Sequence, residues 1–333
     1  MAFEISIKLI LLVVLTCLKI QIISGALSEV IRNATISLDE EPFARETVTI
    51  IGTCEDNKTL VRITSDPAFP TTSIITCHDE SRDETLWSKH QIVGPLPEGE
   101  GTRPSFRIGN FYKQIDVNNC YSQTTQAETI EKLTGSNGFI DVSQNLYLAR
   151  GHLAPNADFP IDSQRAATFF YINACPQWQS INDGNWLRLE NSLRKLAENP
   201  IRTLTVWTGT YGTMKLPAGT GSNIFLGRIG DETVERLPIN HLLWKVIYDE
   251  NAGTGAAIIE INNPYIENVQ PGDDIPCPNI CDQLSWVDWQ TTEVRRGYTH
   301  CCTVESFREI VSYFGDFPED FPEIPSGNIP LLR

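Results

Sequence analysis

The sequence predicts an α+β fold, a central sheet with helices on its faces. Three observations carry the expectation. Runs rich in β-branched and aromatic residues recur along most of the 333-residue chain. Residues 183–198 place Trp186, Leu189, Leu193 and Leu196 at helical spacing and stop at Asn199-Pro200. An apolar fraction of 41% suits a packed core in a chain of this length.

Taken in order, the chain opens with Lys8, an uninterrupted apolar run at 9–15, more apolar residues to Ile23, and the small residues Ser24-Gly25-Ala26. That is the pattern of a signal peptide, 1–26, cut after Ala26; Lys19 inside the run argues against an uncleaved anchor. A secreted mature form with no membrane segment is expected. Runs at 47–51, 60–63 and 73–76 read as short strands of a small β-rich module or propeptide, 27–93. Pro and Gly then crowd Gly94-Pro95-Leu96-Pro97-Glu98-Gly99-Glu100-Gly101, and 94–105 reads as a linker.

The main domain is expected at 106–315. A helical patch at 126–133 precedes the turn Gly135-Ser136-Asn137-Gly138. Strands are expected at 146–148, 168–172, 203–208, 242–248 and 256–261, around the helix at 183–198, and a last helix at 304–314. Pro318, Pro322, Pro325 and Pro330 mark 316–333 as a disordered tail.

Nine cysteines become eight once Cys17 leaves with the signal peptide. An even count in a secreted chain reads as disulfides, with Cys54 and Cys77 as a local pair. The rival is a zinc site from Cys277, Cys281, Cys301 and Cys302, disfavoured because vicinal cysteines chelate awkwardly. The sequons at Asn33 and Asn57 agree with secretion and glycosylation.

The charge, 26 basic against 42 acidic residues and a net −16, opposes tight, static, sequence-specific binding to DNA. It leaves room for a hydrolase that must release its product, where local arginines and a metal cation attract phosphate on an acidic surface.

The chemistry concentrates in 146–190. An apolar strand leads into Arg150-Gly151-His152; Asn173 and Pro176-Gln177 follow; then comes Asn182-x-Gly184-x-Trp186-x-x-x-Glu190. Hydrolysis of a phosphodiester needs a base for the attacking water, neutralisation of charge on the phosphoryl oxygens and help for the leaving oxygen, which a histidine, a divalent metal and a cationic side chain supply. His78, His90, His241 and His300 lack such company and read as structural. Asn182 could equally be a helix N-cap, and Glu190 a partner for Arg194 one turn on. Glu190 lies about 80° around the helix from Asn182 at ~100° per residue, on the same general face. Trp186 reads as core, Trp178 is less committed, and Arg188 reads as solvated.

These residues resemble the signature of the DNA/RNA non-specific endonucleases with a ββα-metal site, and most closely the secreted double-stranded ribonucleases and salivary nucleases of arthropods. The resemblance covers about 106–314. It implies a ββα-metal nuclease fold with a mainly antiparallel sheet. His152 is then the general base, Arg150 a phosphate-facing catalytic cation, Asn182 the ligand of a hydrated Mg2+ (or Mn2+), and Glu190 the support of the metal-bound waters or the proton donor. Arg194 and Asn173 are implied on the substrate side. The implied activity is endonucleolytic hydrolysis of double-stranded RNA or DNA without sequence specificity, leaving a 5′-phosphate, in gut lumen or saliva. Ala149 departs from the family, which commonly has Asp before Arg-Gly-His; Asp158 fits the arthropod branch without a derivable role. A secreted nucleic-acid-binding protein that has lost catalysis, or a nucleotide phosphodiesterase on the same fold, are the alternatives. Gly209-Thr210-Tyr211-Gly212 lacks the spacing of a dinucleotide fingerprint.

Overall fold

The computed structural model describes residues 46–65, 74–97, 103–216, 223–229, 234–267, 275, 277–314 and 324–333. The expected signal peptide, the sequon at Asn33 and the first part of the β-rich module lie outside them. The strands are β1 (Thr47–Cys54), β2 (Lys58–Thr64), β3 (Ile74–Asp79), β4 (Glu84–Val93), β5 (Leu148–His152), β6 (Ala174–Trp178), β7 (Thr203–Thr213), β8 (Phe225–Ile229), β9 (Val234–Pro238), β10 (Asn240–Asp249), β11 (Thr254–Ile261) and β12 (Tyr298–Cys302). The longer helices are α1 (Gln123–Thr134), α2 (Asp162–Ala167), α3 (Leu187–Glu198) and α4 (Val304–Phe314).

An eight-stranded sheet runs β1-β2-β3-β4-β7-β10-β11-β12, and every pair in it is antiparallel. Alternation along β10 and β11 sorts the core into two layers. Leu243, Ile247, Ala256 and Ile258 share a buried cluster with Leu189 and Leu193 of α3. Leu242, Trp244, Val246, Ala257 and Ile259 share one with Phe307 of α4. Each helix therefore covers one face of the sheet, as its apolar stripe requires. β5 and β6 form a separate antiparallel pair, and the helical stretch ending in α3 follows β6 directly, completing a ββα unit.

That unit is tied to the sheet by side chains that the sequence does not advertise. Asn262, at the end of β11, accepts from the Trp178 amide at 3.1 Å and donates to the Pro176 and Asn240 carbonyls at 3.0 Å each. Thr85 and Ser88 of β4 donate to the Ile172 carbonyl at 3.0 Å and to Asn173 Oδ1 at 3.3 Å. His90 of β4 meets Asp158 at 2.9 Å.

β4 thus belongs to the main fold. The expected division into a module at 27–93, a linker at 94–105 and a domain from 106 differs from what is seen, because β4 pairs with β7 in the middle of one continuous sheet. Pro and Gly after Val93 end the strand without ending the domain. Strand 168–172 is a second correction. Phe169 and Phe170 are buried in a turn between α2 and a short helical turn at Tyr171–Asn173, since an apolar run satisfies a buried turn as well as a strand. The tail is a third over 324–333, residues 316–323 lying outside those described: Ile324, Ile329 and Leu332 are buried, and Leu332 donates to the Gly255 carbonyl and accepts from Trp286 Nε1. Of the cysteines, Cys54–Cys77, Cys277–Cys302 and Cys281–Cys301 are bridged, which removes the zinc alternative. Cys120 and Cys175 are free, correcting the expectation that all eight pair; they are buried in different core clusters. Among the described residues no helix is long and apolar enough to cross a membrane.

Helix 183–198 begins later than its pattern predicts. α3 starts at Leu187, preceded by a wider π-type turn, Asn182–Trp186, broken at Gly184. A Cβ at Gly184 would lie 2.3 Å from the Arg296 carbonyl oxygen, so only glycine lets the loop from β11 to β12 pass this close. Asn185, with no exposed surface, clamps that loop: it donates to the Gln290 and Gly297 carbonyls at 2.8 Å each and accepts from the Gln290 amide at 3.1 Å. Asn185→Ala leaves these buried groups unpaired and is expected to cost about 2–3 kcal/mol in urea unfolding; a loss below about 0.5 kcal/mol would show that water replaces the clamp.

Candidate active site

β5 delivers two side chains to one face. Arg150 and His152 alternate with Ala149 and Gly151, and a Cβ on Gly151 would lie 2.3 Å from Gln177 Oε1 on β6. The same alternation puts residue 149 on the other face of β5 from His152.

The His152 ring is wedged between Phe106, 5.0 Å away, and Phe169, 4.9 Å away. Burial, and after it the charge of Arg103, lowers its pKa to about 3. The imidazole is therefore neutral at physiological pH and able to accept a proton. Its Nε2 is buried without a hydrogen-bond partner among the described residues. An orphaned ring nitrogen at the edge of a polar cleft is what a base needs before substrate or water arrives.

The cleft has a volume of about 530 Å³, and its walls include His152, Asn182, Glu190, Arg194 and Arg103. Four of the expected site residues thus converge on it from β5, the π-type turn and α3. Asn182 Nδ2 donates to Gln179 Oε1 at 3.4 Å, which leaves Oδ1 to ligate. Glu190 is half-buried, and burial, followed by the negative charge of Asp158, raises its pKa to about 7 against the opposing pull of Lys245 and Arg194. One amide oxygen and one carboxylate suit a hard divalent cation that keeps most of its waters. They do not suit a soft metal.

The other two expected residues stand apart. Arg150 lies over a shelf of aromatic rings, its guanidinium 5.1 Å from the Tyr121 centroid, 5.6 Å from Tyr171 and 5.9 Å from Phe106. Its Nε donates to Tyr171 Oη at 2.8 Å, so it flanks the cleft without lining it. Asn173 has no exposed surface. Its Oδ1 accepts from the Ala154 amide at 3.0 Å, and its Nδ2 donates to the Ala154 and Thr168 carbonyls at 2.9 and 3.0 Å. With every polar atom engaged it has nothing to offer a substrate; it braces the turn after His152. Trp186 and Trp178 are both core residues. Arg188 donates to the Asp288 carbonyl at 3.0 Å.

Beneath the cleft lies a buried polar layer. Asp158 accepts from Arg194 at 2.7 Å and pairs with His90 on its other oxygen. Burial alone would raise the Asp158 carboxyl; the His90 hydrogen bond, with the charges of Arg194 and Lys245, brings it below the usual range. Lys245 and Glu260, from β10 and β11, complete the layer, and burial pushes Glu260 well above the usual carboxylate range.

A family model described as DNA/RNA non-specific endonuclease matches residues 63–307. The chain belongs to the DNA/RNA non-specific endonuclease family. Among curated relatives of this family member, a salivary endonuclease of Lutzomyia longipalpis is 32% identical over 238 residues, 70% of this chain and 55% of the relative. Salivary protein Tsal1 of Glossina morsitans morsitans is 28% identical over 250 residues, 73% of this chain and 60% of the relative. The chain thus spans just over half the length of the curated relatives it matches. The solved EndoG/EndoGI complex matches at 20% identity and a TM-score of 0.34, over 60% of this chain and 74% of that one. The family match begins inside β2, in keeping with a sheet that includes the N-terminal strands.

Because its folded pKa is depressed, Asp158 stabilises the fold above the unfolded value of about 4 and loses that contribution as pH falls through the folded pKa. Asp158→Asn is expected to lower stability by about 3 kcal/mol at pH 7, with the gap from the parent narrowing below pH ~4. Denaturant unfolding at several pH values measures this, and a gap independent of pH would remove the electrostatic account.

Proposed function

We propose that this chain is a secreted endonuclease that hydrolyses phosphodiester bonds of double-stranded RNA and DNA without sequence specificity. The observation that carries the reading is the convergence of His152, Asn182, Glu190 and Arg194 on one polar cleft. His152 takes the proton from a water, which attacks phosphorus in line. Arg194 and Arg150 offer positive charge to the phosphate oxygens. A hydrated Mg2+ or Mn2+ held by Asn182, its waters supported by Glu190, would supply charge neutralisation at phosphorus and a proton for the leaving oxygen. His152 is a weak base in the substrate-free cleft; an arriving phosphodiester anion beside it favours the imidazolium and brings its pKa upward. Three traits support secretion: the leader-like N-terminus, the disulfides, and the salivary relatives.

The decisive experiment is metal-dependent digestion of long double-stranded RNA and plasmid DNA by the purified protein, with a chelator control and mononucleotide phosphodiesters in parallel. His152→Ala is expected to lower kcat by about 10⁴-fold in a protein that still unfolds cooperatively, and Glu190→Gln by about 10²–10³-fold. Cleavage of small phosphodiesters but not of polymers would replace this reading with a nucleotide phosphodiesterase. A folded protein that binds duplexes and cuts nothing would replace it with a binding protein.

A further inference from the structure

Lys245 sits where a lysine is least expected, on the central strand β10 with 1% of its surface exposed. Its ammonium reaches toward the cleft from below. Nζ donates to Thr208 Oγ1 at 2.7 Å on β7 and to the Leu153 carbonyl at 3.4 Å, in the residue directly after His152. It also lies 4.7 Å from the ring centroid of Trp186, the last residue of the turn that begins with Asn182. One cation therefore touches the backbone that carries the base and the ring that seats the metal-ligand turn.

The charges around it come from every packed element. Glu190 and Arg194 face it from α3, Asp158 from the turn before α2, Glu260 from β11, His90 from β4 and Cys175 from β6. Burial lowers the His90 pKa and raises those of Cys175 and Glu260. Asp158 is already engaged by Arg194 and His90. The groups that hold Lys245 by contact are Thr208, the Leu153 carbonyl and the Trp186 ring.

We propose that Lys245 is a positioning residue of the nuclease site, the buried cation that holds the His152–Leu153 backbone and the Trp186 turn in register beneath the cleft. This rests on the nuclease reading above. Methionine matches lysine in length and removes the charge; arginine keeps the charge.

The test compares parent, Lys245→Met and Lys245→Arg in steady-state cleavage of double-stranded RNA, with unfolding curves for each. Expected for Lys245→Met is a fall in kcat of about 10²-fold with KM within about threefold, and partial recovery of kcat in Lys245→Arg. Should Lys245→Met not fold, Thr208→Val withdraws the Nζ acceptor and is expected to cost about tenfold in kcat with KM within about threefold. A folded Lys245→Met with parental kcat overturns the proposal. So does a loss that falls on KM or shows no recovery in Lys245→Arg, and so does Thr208→Val with parental kcat when it is the variant that folds. A parent protein that cuts no nucleic acid removes the nuclease reading itself, and this proposal with it.

Discussion

A charge taken out of water must be answered inside the protein, and much of this site can be read as the answer to one buried ammonium. Lys245 draws in a hydroxyl from the next strand, a carbonyl from the β5 exit and an indole face from the turn before α3. Each partner belongs to a different element. The sheet, the β5–β6 pair and the helix are consequently fixed against one another at the point where the chemistry is placed. Apolar burial drives α3 onto the sheet; the polar layer decides in which register it settles.

The division between what the sequence discloses and what it hides follows the same line. His152, Asn182, Glu190 and Arg194 fall within one stretch of chain, and their spacing survives into space because a strand, a turn and a helix carry them in order. Strands β1, β2, β7, β10 and β11 and helix α4 are legible from β-branched runs and helical periodicity. β4 is not, because Thr85, Ser88 and His90 are polar residues facing inward, where they serve Ile172, Asn173 and Asp158. Lys245 is hidden for a related reason: one lysine in an apolar strand reads as a solvent-facing position until the pairing of β10 with β7 and β11 on both sides is known. Asn185 and Asn262 look like any loop asparagine, and their function lies in carbonyls on distant segments.

Residues 168–172 and the proline-rich tail depart from expectation for a shared reason. Local composition points to a strand and to disorder, yet buried aromatics can line a turn, and Ile324, Ile329 and Leu332 anchor the end of the chain beside exposed prolines. The cysteine count misleads in the same way, since parity says nothing of which thiols meet. Cys120 and Cys175 belong to separate clusters, and their burial, not a partner, protects them.

A net charge of −16 fits a site organised this way. Long polyanions are held tightly by many phosphate contacts, each releasing counterions. Here the cleft mixes Arg103, Arg194 and Lys195 with Asp183, Glu190 and Glu198, so its positive charge is local and largely balanced. Part of it is already committed, Arg194 to Asp158. Such a surface offers little affinity along a polyanion and concentrates what it has at one phosphate. On the proposed nuclease reading, the site depends on geometry at the scissile bond more than on grip along the strand, and products, which offer the same phosphates without the charge that develops in the transition state, have little reason to remain.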